Sequence, residues 1–109
     1  MPNVPENFAG VTVVTKANVY FDGRVVSHTI LLPDGTRKTI GLIFPGEYRF
    51  TTQTPEWMQV VAGECAVRLD GSQARTEYAA GNEFNVPGQS GFTIEVRSGI
   101  CEYVCTFLK

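Results

Sequence analysis

Pro45 to Glu64 reads PGEYRFTTQTPEWMQVVAGE, and Gly81 to Phe92 reads GNEFNVPGQSGF. Each begins with a glycine turn and runs into short stretches in which apolar and polar residues alternate. In EYRFTT that alternation puts Tyr48, Phe50 and Thr52 on one side, and Glu47, Arg49 and Thr51 on the other. In EWMQVVA it separates Glu56, Met58, Val60 and Ala62 from Trp57, Gln59 and Val61, and in EFNV it separates Phe84 and Val86 from Glu83 and Asn85. The apolar sets mark the inward faces, so Glu56 opens an interior row as a carboxylate that is costly to desolvate without a binding partner.

The same punctuation extends along the chain. Turn signals stand at Asp22-Gly23, Asp34-Gly35, Pro45-Gly46, Asp70-Gly71, Gly81-Asn82, Pro87-Gly88 and Ser98-Gly99. Between them lie VTVV, ANVYF, RVVSHTILL, TRKTIGLIF, EYRFTT, WMQVV, CAVRLD, RTEYA, EFNV, FTIEV and CEYVCTFL, all rich in β-branched and aromatic residues. Asp-Gly between two such runs predicts a two-residue type I′ hairpin turn, with positive φ at both positions. Strands at this spacing, with no run of helical periodicity, predict an all-β barrel or sandwich with little or no helix.

At 109 residues the chain has the length of one domain. We expect a single domain over 1–109, with Met1 to about Asn7 as an N-terminal arm. Apolar residues at 43% and charged residues at 18% exclude a disordered chain. A net charge of −2 gives no broad attraction to nucleic acid or to an anionic membrane, and no segment has the roughly 20 apolar residues of a spanning helix. The opening MPNVPENFAG lacks a basic start and an apolar run, so the expected location is the cytoplasm. Cys65, Cys101 and Cys105 agree with it. Along one straight strand Cys101 and Cys105 would lie about 13 Å apart, too far for a disulfide, and three reduced core thiols are expected. The single histidine, His28, shares a strand face with Val26, Ile30 and Leu32, which predicts a packed, hydrogen-bonded side chain.

The segments Pro45–Glu64 and Gly81–Phe92 resemble the two signature motifs of the cupin superfamily, whose fold is a jelly-roll barrel and whose motifs supply histidines and a glutamate to a metal. Laid on this chain, the glutamate falls on Glu56. The first motif's histidine positions fall on Phe50 and Thr52, and the second's falls near Ser90 to Phe92. One histidine in the whole chain does not make such a metal site, so no metal and no cofactor is expected. The runs ANVYFDGRVVSHTILLPDGTRKTIGLIFPGEYRFTT, EWMQVVAGE, EFNVP and YVCTF resemble more closely the pyrimidine/purine nucleoside phosphorylases, small cupin-like proteins. That resemblance spans about Phe8 to Phe107. It implies a cupin-like jelly roll that splits nucleosides with inorganic phosphate as co-substrate, giving free base and ribose 1-phosphate or another pentose 1-phosphate. Its other implication is a homodimer.

Phosphorolysis needs an anion site, a carboxylate near the sugar and a surface for the base. For phosphate the candidates are Arg37, Lys38 and Thr39; strand alternation forbids Arg37 and Lys38 from facing the same way, and the fork of Arg37 suits phosphate better. Thr51, Thr52 and Ser90 offer neutral donors. Glu56 is the first choice of catalytic carboxylate beside Arg37, with Glu47 second. Tyr48, Phe84 and Phe92 are candidate base-stacking surfaces, with Met58 as a deformable neighbour. Two other readings compete: a non-catalytic barrel that binds a nucleoside or sugar, and a metal-dependent cupin enzyme with ligands such as Glu56, His28 and a thiol.

Overall fold

The computed structural model describes residues 4–109; of the expected arm, Met1 to Asn3 lie outside the described residues. The eleven runs read from the sequence become eleven strands: β1 (Thr12–Val13), β2 (Asn18–Tyr20), β3 (Val25–Leu31), β4 (Arg37–Ile43), β5 (Gly46–Thr51), β6 (Glu56–Ala62), β7 (Glu64–Leu69), β8 (Thr76–Ala79), β9 (Glu83–Val86), β10 (Gly91–Val96) and β11 (Cys101–Phe107). Among the described residues the one helical element is a 3-10 turn at Phe21–Gly23. All strand pairs are antiparallel. One sheet runs β3-β4-β11-β6-β9, with β1 and β2 both flanking β3; the other runs β5-β10-β7-β8. Two antiparallel sheets in this order, with connections crossing between them, make a jelly roll.

Alternation fills the space between the sheets. Val25, Ile43, Met58, Val60, Val86, Cys101 and Cys105 project from the larger sheet, and Tyr48, Cys65, Val67, Phe92, Ile94 and Val96 from the smaller. All three cysteines are buried free thiols. The inward row of the EWMQVVA strand is the expected one, with Met58 and Val60 buried and Glu56 half-buried at its end.

Several local expectations differ. At Asp70-Gly71 only the glycine takes a positive φ (83°), and at Asp22-Gly23 the loop between the paired Tyr20 and Val25 is four residues long, so neither is a two-residue type I′ turn. The turn before β4 is not a two-residue type I′ turn on Asp34-Gly35. Gly35 N donates to Leu32 O at 2.9 Å and Leu32 N to Thr36 O at 2.9 Å, so the central pair is Pro33-Asp34 and Gly35 follows in the left-handed region (φ 90°). Pro33 is the reason, because its ring fixes a negative φ that type I′ forbids. Asp34 Oδ1 accepts from Thr36 N at 2.9 Å and completes the turn. His28 is exposed rather than packed, with Nδ1 at 3.2 Å from Val14 O. Val25 and Ser27 take the inward phase of β3, and that phase turns His28 outward.

Cross-strand register sets the polar residues of the interior into rows. Thr39 lies opposite Cys105, which lies opposite Met58 on its other side. One step further along, Ser27 lies opposite Gly41, Gly41 opposite Tyr103, and Tyr103 opposite Val60. Such neighbours share a face. Gly41 is required there: a Cβ on it would stand 2.6 Å from Val26 O and 2.8 Å from Tyr103 Cε1. Its bare backbone leaves room for the Tyr103 ring to lie across the strand.

Candidate active site

A cavity of about 800 Å³ opens between the sheets. Its floor is the larger sheet, with Arg37, Thr39, Ser27, Tyr103, Cys105, Glu56 and Met58. Its other wall is the smaller sheet, with Phe50, Phe92 and Ile94. The floor is polar because the rows just described all face it, and the wall is apolar because β5 and β10 pair Phe50 with Phe92.

Glu56 sits at the start of β6 directly opposite Phe107 of β11, and the Arg37 guanidinium lies 3.9 Å from the centre of the Phe107 ring. One carboxylate and one guanidinium are thereby held at the same end of the cavity. Glu56 Oε1 accepts a hydrogen bond from the Cys105 thiol at 3.6 Å. Burial raises the Glu56 carboxyl above the usual carboxylate range, and the Cys105 hydrogen bond and the Arg37 charge only partly offset it. Burial also pushes the Cys105 thiol up, and the Glu56 charge pushes it further. Tyr103 is pushed up by burial, against hydrogen bonding to Ser27 and Thr39. The floor therefore sets neutral thiol and hydroxyl donors beside the Glu56 carboxyl and the Arg37 guanidinium.

A raised carboxyl links protonation to stability in a definite direction. Between the ordinary glutamate pKa and the raised one, the folded chain holds a proton that the unfolded chain has lost, so the Glu56 contribution to stability falls as pH rises through that window. We expect Glu56→Gln protein to melt above wild type at pH 7–8. The difference should close as the pH is lowered through the window. Thermal melts of both proteins across pH 4–8 check this, and a Glu56→Gln protein that melts lower at every pH would contradict it.

The cavity brings together Glu56, Arg37, Thr39, Thr51, Met58 and Phe92 of the residues singled out in the sequence. The others lie elsewhere. Lys38 points to the outer face, where Nζ donates to Thr106 Oγ1 at 2.7 Å and stands 5.5 Å from the Trp57 ring and 5.8 Å from that of Phe8. Thr52 Oγ1 donates to Pro87 O at 2.6 Å and accepts from Ser90 N at 3.1 Å, so Thr52 and Ser90 tie β5 to the loop before β10. Tyr48 is buried with its hydroxyl held by Phe44 O and Pro45 O at 2.7 and 2.8 Å. Phe84 lies deeper in the core, stacked on Tyr78 at 4.6 Å. Glu47 is exposed on the outer side of β5.

Ser27, Tyr103, Cys105 and Phe107 were not among the sequence candidates, although simple alternation in CEYVCTF places Cys101, Tyr103, Cys105 and Phe107 on one face. Ser27 could not have been found without the β3–β4 register. The residues present do not fit a cupin metal ion. Among the described residues no three His, Cys, Asp or Glu side chains converge, and His28 is on the outside of the barrel, away from Glu56 and Cys105.

Comparison with known proteins agrees with this architecture. The chain is 56% identical over 100 residues to a Cupriavidus necator protein named pyrimidine/purine nucleoside phosphorylase, covering 92% of this chain and 94% of that one. A crystal structure of an Acinetobacter protein of unknown function superposes with a TM-score of 0.90 at 42% identity, covering 94% of this chain and 98% of that one. Bacillus subtilis oxalate decarboxylase shares the fold alone, with a TM-score of 0.72 at 13% identity over 89% of this chain and 28% of that one. Residues 15–107 match the sequence profile of pyrimidine/purine nucleoside phosphorylases. With that match over most of its length, and a fold shared with the cupins, this chain belongs to the pyrimidine/purine nucleoside phosphorylase family.

Proposed function

We propose that this chain is a metal-independent, broad-specificity pentosyltransferase that cleaves purine and pyrimidine nucleosides with inorganic phosphate. The carrying observation is the convergence of Glu56, Arg37 and Thr39 in one cavity of a nucleoside phosphorylase family member. Arg37 binds two phosphate oxygens through its fork, braced by its face on Phe107, and Thr39 adds a neutral donor. A phosphate oxygen attacks the anomeric carbon as the C–N bond breaks. The bond's electron pair leaves with the base nitrogen, which takes up the proton that hydrogen phosphate gives up. The products are free base and pentose 1-phosphate. Glu56 accepts hydrogen bonds from the sugar hydroxyls, and its charge stabilises the oxocarbenium-like transition state. Met58 and Phe92 pack against the sugar and its glycosidic bond.

The carboxylate must be ionised for that role, and its raised pKa places the acid limb of kcat/KM above the usual glutamate range. The protein works in the cytoplasm as a homodimer; the exposed side chains of Ile40 and Val61 on the outer face of the larger sheet favour pairing there. Purified protein treated with a chelator should release base from adenosine, guanosine, uridine and cytidine only when phosphate is supplied. Base release that needs an added metal would overturn the metal-independent reading, and binding without release would leave a non-catalytic barrel.

A further inference from the structure

The turn between β2 and β3 takes no part in the chemistry above, yet it carries backbone strain at the cavity mouth. Phe21, Asp22 and Gly23 run consecutively through positive φ, at 54°, 57° and 89°. For an aromatic residue this region is disfavoured, and such strain collects at ligand clamps. Core burial does not explain it, because Phe21 keeps 40% of its surface exposed and the neighbouring Tyr20 keeps 46%. Both rings instead line the cavity and surround Phe50. Tyr20 meets Phe50 edge-on at 5.8 Å, Phe21 meets it edge-on at 5.4 Å, and Phe21 also leans on Tyr48 at 5.0 Å. Phe50 in turn stacks on Phe92 at 5.8 Å.

We infer that Tyr20 and Phe21, closing over Phe50, form the clamp that holds the nucleobase; this rests on the phosphorolysis reading. The cavity is polar on one side and aromatic on the other, so an amphipathic ligand has one orientation. Sugar and phosphate face Glu56 and Arg37, and the flat base lies among the rings of the turn. The charged side chain at the rim is Arg49, which is ion-paired with Asp70, and the remaining polar rim groups are Thr51, Gln53 and Thr54. That is too little hydrogen-bonding capacity to read both a purine and a pyrimidine edge, whereas an aromatic face accepts any planar base. Breadth of substrate follows from the clamp, with larger ring area giving stronger retention.

The test is Phe21→Ala, Phe21→Leu and Tyr20→Ala in the full chain. Adenosine and uridine binding are measured by calorimetry without phosphate, and steady-state kinetics with it. Base–aromatic stacking lost by truncation predicts a rise of about tenfold or more in nucleoside Kd and KM. The effect should be larger for adenosine than for uridine, with phosphate KM within about twofold. Phe21→Leu keeps apolar bulk without the π-face and should lie between Phe21→Ala and wild type. Variants that melt like wild type and keep its nucleoside affinity would overturn the clamp while leaving phosphorolysis intact. A wild type that binds nucleosides but forms no product, with binding still lost in the variants, would overturn phosphorolysis while leaving the clamp.

Discussion

Replacing Glu56 by glutamine should lower kcat by about 100- to 1,000-fold while nucleoside Kd changes by less than about threefold. Glutamine keeps the size of the side chain and its capacity to hydrogen-bond the sugar hydroxyls, and it removes the negative charge. A charge that matters only as positive character grows at the anomeric carbon is absent from ground-state affinity and present in the rate. Removal of one pre-positioned group of this kind from a partly desolvated site typically costs a factor in that range. The site has already met the cost of holding the charge, as the raised carboxyl shows. The same substitution is therefore expected to slow the enzyme and to raise its melting temperature at neutral pH. Rapid-quench and steady-state kinetics, paired with calorimetric binding, separate the two quantities. Unchanged kcat would reduce Glu56 to a rim carboxylate without a catalytic role.

Arg37→Ala should raise phosphate KM by about 10- to 100-fold, with nucleoside KM within about twofold. A hydrogen bond to a charged group contributes about 1.5–3 kcal/mol, and among the described residues Arg37 is the cavity cation without a salt-bridge partner, since Arg49 is paired with Asp70. Arg37→Lys keeps the charge but loses the planar fork and its face against Phe107. It should recover less than half of the lost free energy. Equal effects on both substrates would show that Arg37 supports the cavity as a whole and does not receive the anion.

Strand alternation was sufficient to read much of this architecture. The segments between glycine turns became the strands, and EWMQVVA placed Glu56, Met58 and Val60 on the inner face from sequence alone. Positions that depend on pairing were not legible. Ser27 and Tyr103 meet across Gly41 through the register of β3, β4 and β11, which local pattern does not specify. Thr52 carries a hydroxyl of the kind a phosphate site needs, yet that hydroxyl is taken up by Pro87 O and Ser90 N of the β9–β10 loop, the second contact spanning 38 residues of sequence. His28 illustrates a phase error: RVVSHTILL is apolar on both faces, and only the packing of β3 decides that Val25 and Ser27 turn inward. The strained turn at Phe21 was hidden for another reason. Asp22-Gly23 signals a turn, but nothing local marks the left-handed Phe21 before it, whose ring meets Tyr48 and Phe50 from a strand distant in sequence.

On the reading proposed above, a cupin barrel without histidine ligands transfers a pentose to phosphate with Glu56 and Arg37 as the charged groups at the reacting atoms. Phosphorus NMR of chelator-treated protein with uridine and inorganic phosphate follows the transferred atom directly. A pentose 1-phosphate signal should grow in step with free uracil, and both should be slowed together in Glu56→Gln. Free uracil and free ribose appearing while the phosphate signal stays constant would contradict it, as would loss of all turnover when metal ions are removed.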